Sequence, residues 1–157
     1  MSFLAGRYSV TLGASSVGQT GLDSLIIEHQ VFKQLIVGDN FAETPQDAVF
    51  RGMAEFIQMT LLEYNATAAR AAFWPYGSIY GTMDVVIGTL DQTNAAQIVM
   101  TALTGTPAVA TPATITAPKC ILAEGYPVSI LFAPKLREVP VRMRMYPNSS
   151  GVFHTQT

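Results

Sequence analysis

The side chains able to do chemistry are few and scattered. Two histidines, His29 and His154, stand far apart in the chain. Neither has a His, Asp or Glu at a spacing known for metal ligation, so surface or capping roles are expected of both. Cys120 is the one cysteine. It excludes an intramolecular disulfide and a cysteine-based zinc site, and it reads as a small core residue. The segment Gly13-Ala14-Ser15-Ser16-Val17-Gly18 is bounded by glycines, but no Lys-Ser or Lys-Thr follows to hold a phosphate and its magnesium. It reads as a hairpin turn. No G-x-S-x-G elbow occurs, and a Ser/His/Asp triad would need dispersed residues to converge in space. The expectation is a protein that is not an enzyme, with no catalytic, cofactor-binding or metal-binding residues.

Charge is sparse as well. Asp, Glu, Lys and Arg make up 13% of 157 residues against 49% apolar residues, where an average soluble domain is roughly 25% charged. That composition excludes disorder. A surface so poor in charge has to present apolar patches, which mark interaction surfaces, so an assembling subunit is expected. Membrane insertion is not. The uncharged stretch Gln92 to Pro118 holds Pro107, Pro112, Pro118 and seven threonines, which breaks any run of about 20 apolar helical residues. The start Met1-Ser2-Phe3-Leu4-Ala5-Gly6-Arg7 lacks a basic stretch followed by an apolar core, so the chain is expected in a cytoplasm. Residues 1 to 118 carry four basic and nine acidic groups, and 119 to 157 carry five basic and two acidic. Surfaces of opposite sign suit head-to-tail contacts between copies. Lys135, Arg137, Arg142 and Arg144, the densest basic group, fall short of a nucleic-acid footprint.

The length fits one domain, 1–157. Arg7 to Leu12 alternates polar and apolar residues and predicts a strand. Leu22 to His29 and Val31 to Val37 read as two strands joined around His29 and Gln30, and Met53 to Tyr64 as a long strand buried on two sides. Between them, 39–51 reads as a projecting loop, with polar turn residues and Pro45. Asn65 is placed to cap an alanine-rich helix over 65–74 that Pro75 ends. Strands are expected at Met83 to Leu90, Gln97 to Leu103, Thr114 to Leu122, Val128 to Phe132 and Val139 to Tyr146, with a Thr/Pro-rich loop region over 104–118. In the last strand Val139, Val141, Met143 and Met145 alternate with Pro140, Arg142, Arg144 and Tyr146, giving one apolar and one cationic face. The fold class is mainly β: an antiparallel β-sandwich or barrel-like subunit with one short flanking α-helix and a long projecting loop.

The stretch Asp39 to Glu63 resembles the tail tube proteins of tailed bacteriophages. In that family a D-x-[FY]-G-x-T-P-x-D loop leads to a Gly, a long strand and an acidic residue before a short helix. Asp39, Phe41, Thr44, Pro45, Asp47, Gly52 and Glu63 match, and Ala42 stands where the pattern has Gly, although Ala resists the positive φ that Gly accepts. The arginine-containing strand and the following Tyr146-Pro147-Asn148-Ser149-Ser150-Gly151-Val152-Phe153 extend the similarity. The resemblance implies a structural virion subunit, six copies closing into a ring and rings stacking into a hollow tube that delivers DNA. It implies a virion-tail location after assembly in the host cytoplasm, no cofactor, and sheath, neck and baseplate proteins as further partners. Asp39, Asn40, Phe41, Glu43, Thr44, Pro45 and Asp47 would then form an inter-ring loop, with Asp39 and Asp47 ordering its turns or pairing with basic groups. Arg142 and Arg144 would form a basic face for protein contact. DNA would pass without specific binding, since a conduit works best when phosphates do not adhere to its wall. The alternatives are a single-ring neck, tail-terminator or baseplate protein of the same architecture, and a monomeric β-sandwich binding module.

Overall fold

Alternation builds the first strand, β1 (Tyr8–Leu12), with Val10 and Leu12 in the core. The computed structural model describes residues 7–21, 24–62, 66–78, 81–103, 113–125, 127–129 and 138–157. After β1 come β2 (Ser15–Ser16), β3 (Ile26–Val37), β4 (Pro45–Leu61), α1 (Ala66–Phe73), α2 (Asp91–Asn94), β5 (Ala96–Ala102), β6 (Thr114–Leu122), β7 (Val139–Met145) and β8 (Thr155–Gln156). Leu12 pairs with Ser15 across Gly13 and Ala14, so the glycine-bounded segment is a hairpin turn.

The strands form one antiparallel sheet in the order β2-β1-β5-β6-β7-β4-β3, with β8 on β6. Strand β6 is the corner. Its first half, Thr114 to Ala117, pairs with β5, while Cys120 to Leu122 pair with Met145 to Met143 of β7. A register shift between Ala96 and Ile98 lies opposite this change of partner, as at corners where a strand serves two sheet halves. Both halves feed one buried cluster, which includes Val10, Ile98 and Met100 from one side and Ile57, Met59, Val141 and Met143 from the other. Helix α1 closes it by burying Ala72 and Phe73, because alanines favour helix and Pro75 stops it. Trp74 still donates its N–H to the Arg70 carbonyl at 2.8 Å, and the Arg70 guanidinium donates to the Gly77 and Ser78 carbonyls beyond the helix end. Cys120 is buried in the core, where burial pushes its thiol up to about 12. No helix among the described residues is long and apolar enough to cross a membrane.

The architecture is mainly antiparallel β, as the alternation predicts, and several expectations within it change. Residues 26–37 form one continuous strand, not two joined at His29 and Gln30, because no Gly or Pro interrupts them and β4 supplies a partner throughout. The 39–51 loop is shorter than expected, since Pro45 to Arg51 belong to β4. Residues 83–90 form no strand. Asp84 accepts from the Ser78 N–H at 2.7 Å, from the Ser78 hydroxyl, and from the Thr82 hydroxyl at 3.3 Å, while the Asp84 and Val85 N–H groups both donate to the Tyr76 carbonyl. Those bonds hold a loop where the apolar run suggested a ladder. A second, one-turn helix, α2, follows it. Of the strand expected at 128–132, Val128 and Ser129 form no strand and 130–132 lie outside the described residues, as do 104–112 of the Thr/Pro-rich region, Glu63 and Asn65, while 114–118 belong to β6.

Candidate functional site

Strand β4 changes character along its length. Pro45 to Arg51 are largely exposed, and Ala54 to Ile57, Met59 and Leu61 are buried. The buried part pairs with both β3 and β7, from Glu55 opposite Met145 to Leu61 opposite Val139. The exposed part pairs with β3 alone, from Met53 opposite Val31 to Pro45 opposite Val37. The result is a two-stranded arm that leaves the sheet beyond β7. Gly52, at φ +130°, adopts a backbone closed to most L-residues and sits at a register shift between Phe32 and Lys33. This bulge leaves Arg51 outside the ladder, where its guanidinium donates to Gln34 Oε1 at 3.2 Å.

The tip is built by local chemistry. Asp39, Asn40 and Phe41 make a single 3₁₀ turn. The Thr44 N–H then donates to the Phe41 carbonyl at 3.1 Å, with Ala42 between at φ 52° and ψ −126°. Those angles belong to the first central position of a type II′ turn, the one that prefers glycine. Ala42 therefore takes a conformation that favours glycine, at a steric cost. Pro45 opens β4, where its missing N–H is tolerated. Asp47 Oδ1 accepts from the Ala48 N–H at 2.7 Å, the local capping role. Asp39 is the acidic residue of the turn, which Gly38 precedes as N-cap without a side-chain bond. Glu43 and Asn40 are exposed at the tip.

Apolar side chains line the arm. Val31, Phe32, Leu35, Ile36, Val37, Phe41, Val49 and Phe50 are all exposed, Leu35 at 58% and Phe50 at 61%. Cross-strand partners share a face, so Val31, Lys33, Leu35 and Val37 stand with Met53, Phe50, Ala48 and Pro45. That face runs on into Ile27 and Ile57 of the core. A lone two-stranded ribbon is marginal in water, and β3 ends the strand order, its far edge paired by no other strand among the described residues.

Two polar clusters fix the arm's base. Glu55, the one buried charged side chain among the described residues, has His154 Nδ1 at 2.6 Å from Oε2 and His29 Nδ1 at 3.3 Å from Oε1. The two histidines, read from sequence as separate surface or capping residues, thus meet on one carboxylate. Each imidazole faces its own oxygen, so the carboxylate bridges β3 to the segment before β8. The sequence did carry a signal: Glu55 is the one charged residue from Met53 to Leu62, a run that is otherwise apolar apart from Gln58 and Thr60.

On the opposite face, Arg142 donates from Nε and Nη2 to Glu28 Oε2 at 3.2 and 2.9 Å, and Arg144 donates to both Glu124 oxygens, 2.8 Å from Nε. Both guanidiniums cover the ring of Phe56, at 3.8 and 4.6 Å from its centroid, contacts worth about 0.5–2 kcal/mol each. The Gln58 amide, then Arg142, holds the Glu28 carboxyl below its usual range, and Arg144 does the same for Glu124. The face that alternation presents as cationic therefore carries a carboxylate against each arginine. Among the described residues, no three His, Cys, Asp or Glu side chains are set to hold a metal ion. The chain matches no protein-family model and no curated protein.

Proposed function

We propose that this chain is a structural subunit that self-assembles through its arm, forming rings that stack into the hollow tail tube of a bacteriophage. The observation that carries the reading is the arm itself, a ribbon with eight large exposed apolar side chains and an unpaired edge strand. Such a surface is stable when another chain covers it. Val31, Leu35, Val37 and Phe50 lie on one face and Phe32, Ile36 and Val49 on the other, so at roughly 100 Å² each, neighbours that cover both faces together reach the order of the 800 Å² per partner found in stable interfaces. The Asp39-to-Gly52 pattern at the tip and base of the arm supports the tube reading in particular, with Ala42 in the geometry of the pattern's glycine. In this reading six copies form a ring in the virion tail, and the protein is no enzyme. The Arg142–Glu28 and Arg144–Glu124 pairs keep positive charge away from passing DNA.

Electron microscopy and sedimentation of the purified chain, alone and with nucleating tail components, test the proposal. Long tubes are expected. Isolated rings would assign the chain to a neck, terminator or baseplate ring, and monomers under every condition would overturn self-assembly and leave a monomeric binding module.

A further inference from the structure

A second apolar surface lies apart from the arm. Met83, Val86, Ile87 and Leu90 are exposed, Ile87 at 85%, on a segment hydrogen-bonded at both ends. Asp84 ties its start to Ser78 and Thr82, and the Trp74 indole donates to the Thr82 carbonyl at 2.8 Å. At its end, Asp91 accepts from the Tyr76 hydroxyl at 2.7 Å and the Tyr146 hydroxyl at 2.9 Å. Between these anchors the Thr89 N–H donates to the Val86 carbonyl at 3.1 Å, with Gly88 at φ +96°. That is a type II turn with Ile87 at its crest and glycine where φ must be positive. Rigid presentation of aliphatic groups to solvent lowers the entropy cost of docking.

We propose that this loop receives the arm of a second copy of the chain, an inference that rests on the self-assembly argued above and names the surface that completes it. Two observations select that occupant. The arm and the loop are different surfaces of one chain, and both are exposed in it, so their contact is heterologous and repeats from copy to copy. They leave the sheet at the same end: the arm begins beyond Glu55 opposite Met145, and the next residue, Tyr146, holds Asp91 at the end of the loop. Copies set side by side in one orientation therefore present arm to loop.

The test uses two full-length variants. Val86→Asp/Ile87→Asp spoils the loop, and Leu35→Asp/Phe50→Asp spoils the arm. All four positions are exposed, so the circular dichroism and melting of the free subunits should match the wild type. Each variant alone should associate at least about a hundredfold more weakly in sedimentation, the loss expected for two aliphatic groups denied burial. Mixed in equal amounts, the loop variant's intact arm should meet the arm variant's intact loop, giving one-to-one pairs that cannot extend. Wild-type-like assembly of the loop variant, or a mixture with no pairs, overturns this contact while self-assembly stands. A wild type that never associates overturns both. Should a variant fail to fold, single cysteines answer the question: Ile87→Cys mixed with Phe50→Cys should give a disulfide-linked dimer under mild oxidation, and its absence at assembling concentrations overturns the contact. The buried Cys120 thiol, pushed up to about 12, stays out of the exchange.

Discussion

Removing the His154 side chain should destabilise the fold far more than removing His29, although both contact the same carboxylate. The His154–Glu55 bond is 2.6 Å long, with the two side chains 17% and 8% exposed, whereas His29 lies 3.3 Å away and is 52% exposed. A hydrogen bond to a charged group in such a shielded place is worth about 1.5–3 kcal/mol, and its loss leaves a buried oxygen poorly satisfied. An exposed pair is worth about 0.2–1 kcal/mol. His154→Ala should therefore lower unfolding free energy by about 2–3 kcal/mol and His29→Ala by under about 1 kcal/mol. Urea denaturation of the free subunit followed by circular dichroism measures both. A double-mutant cycle of His154→Ala with Glu55→Gln should return a coupling of about 1–2 kcal/mol. His154→Asn, whose amide can donate from near the Nδ1 position, should recover part of the loss. Equal losses at the two histidines, or a coupling near zero, would refute the view that Glu55 ties the arm's base to the C-terminal segment.

At the tip, Ala42→Gly should stabilise the arm by about 0.5–1 kcal/mol, the relief of about 1–2 kcal/mol of left-handed strain less the entropy that glycine adds to the unfolded chain. Slower hydrogen exchange at the Thr44 amide would register it, and faster exchange would contradict the turn assignment. Glu28 and Glu124 are both held below their usual carboxyl range, so their contribution is present above the unfolded value of about 4.3 and is lost as pH falls through the lower folded values. The melting temperature should drop on acidification in that window, and a Glu28→Gln/Glu124→Gln variant should show a flatter profile. An unchanged slope would mean the ion pairs contribute nothing to folding. Short duplex DNA should bind subunits and assemblies weakly at low and moderate salt, because Arg142 and Arg144 are each countered by a carboxylate. Tight, salt-steep binding lost in Arg142→Ala/Arg144→Ala with assembly intact would place those arginines on the DNA path.

Local rules were enough for much of the fold. Strands β1, β5, β6 and β7 follow from alternation of apolar and polar residues, and α1 from alanines closed by Pro75, because each signal acts within a few residues of chain. Cys120 as a core residue follows from its solitude. Polar turn residues and Pro45 mark the place of the turn at 39–44, although the strand that follows begins at Pro45, inside the stretch read as loop. What sequence could not decide is which residues meet. Glu55 gathers His29 from 26 positions away and His154 from 99, and Arg142 finds Glu28 across 114. Those meetings depend on strand register, in which a shift of one residue turns every side chain to the other face. The same holds for the arm. Whether the apolar residues of 31–37 and 45–51 are core or surface depends on whether β7 reaches them, and β7 ends at Met145, opposite Glu55. Beyond that point no third strand among the described residues joins β3 and β4, so side chains that composition would send inward stand in solvent.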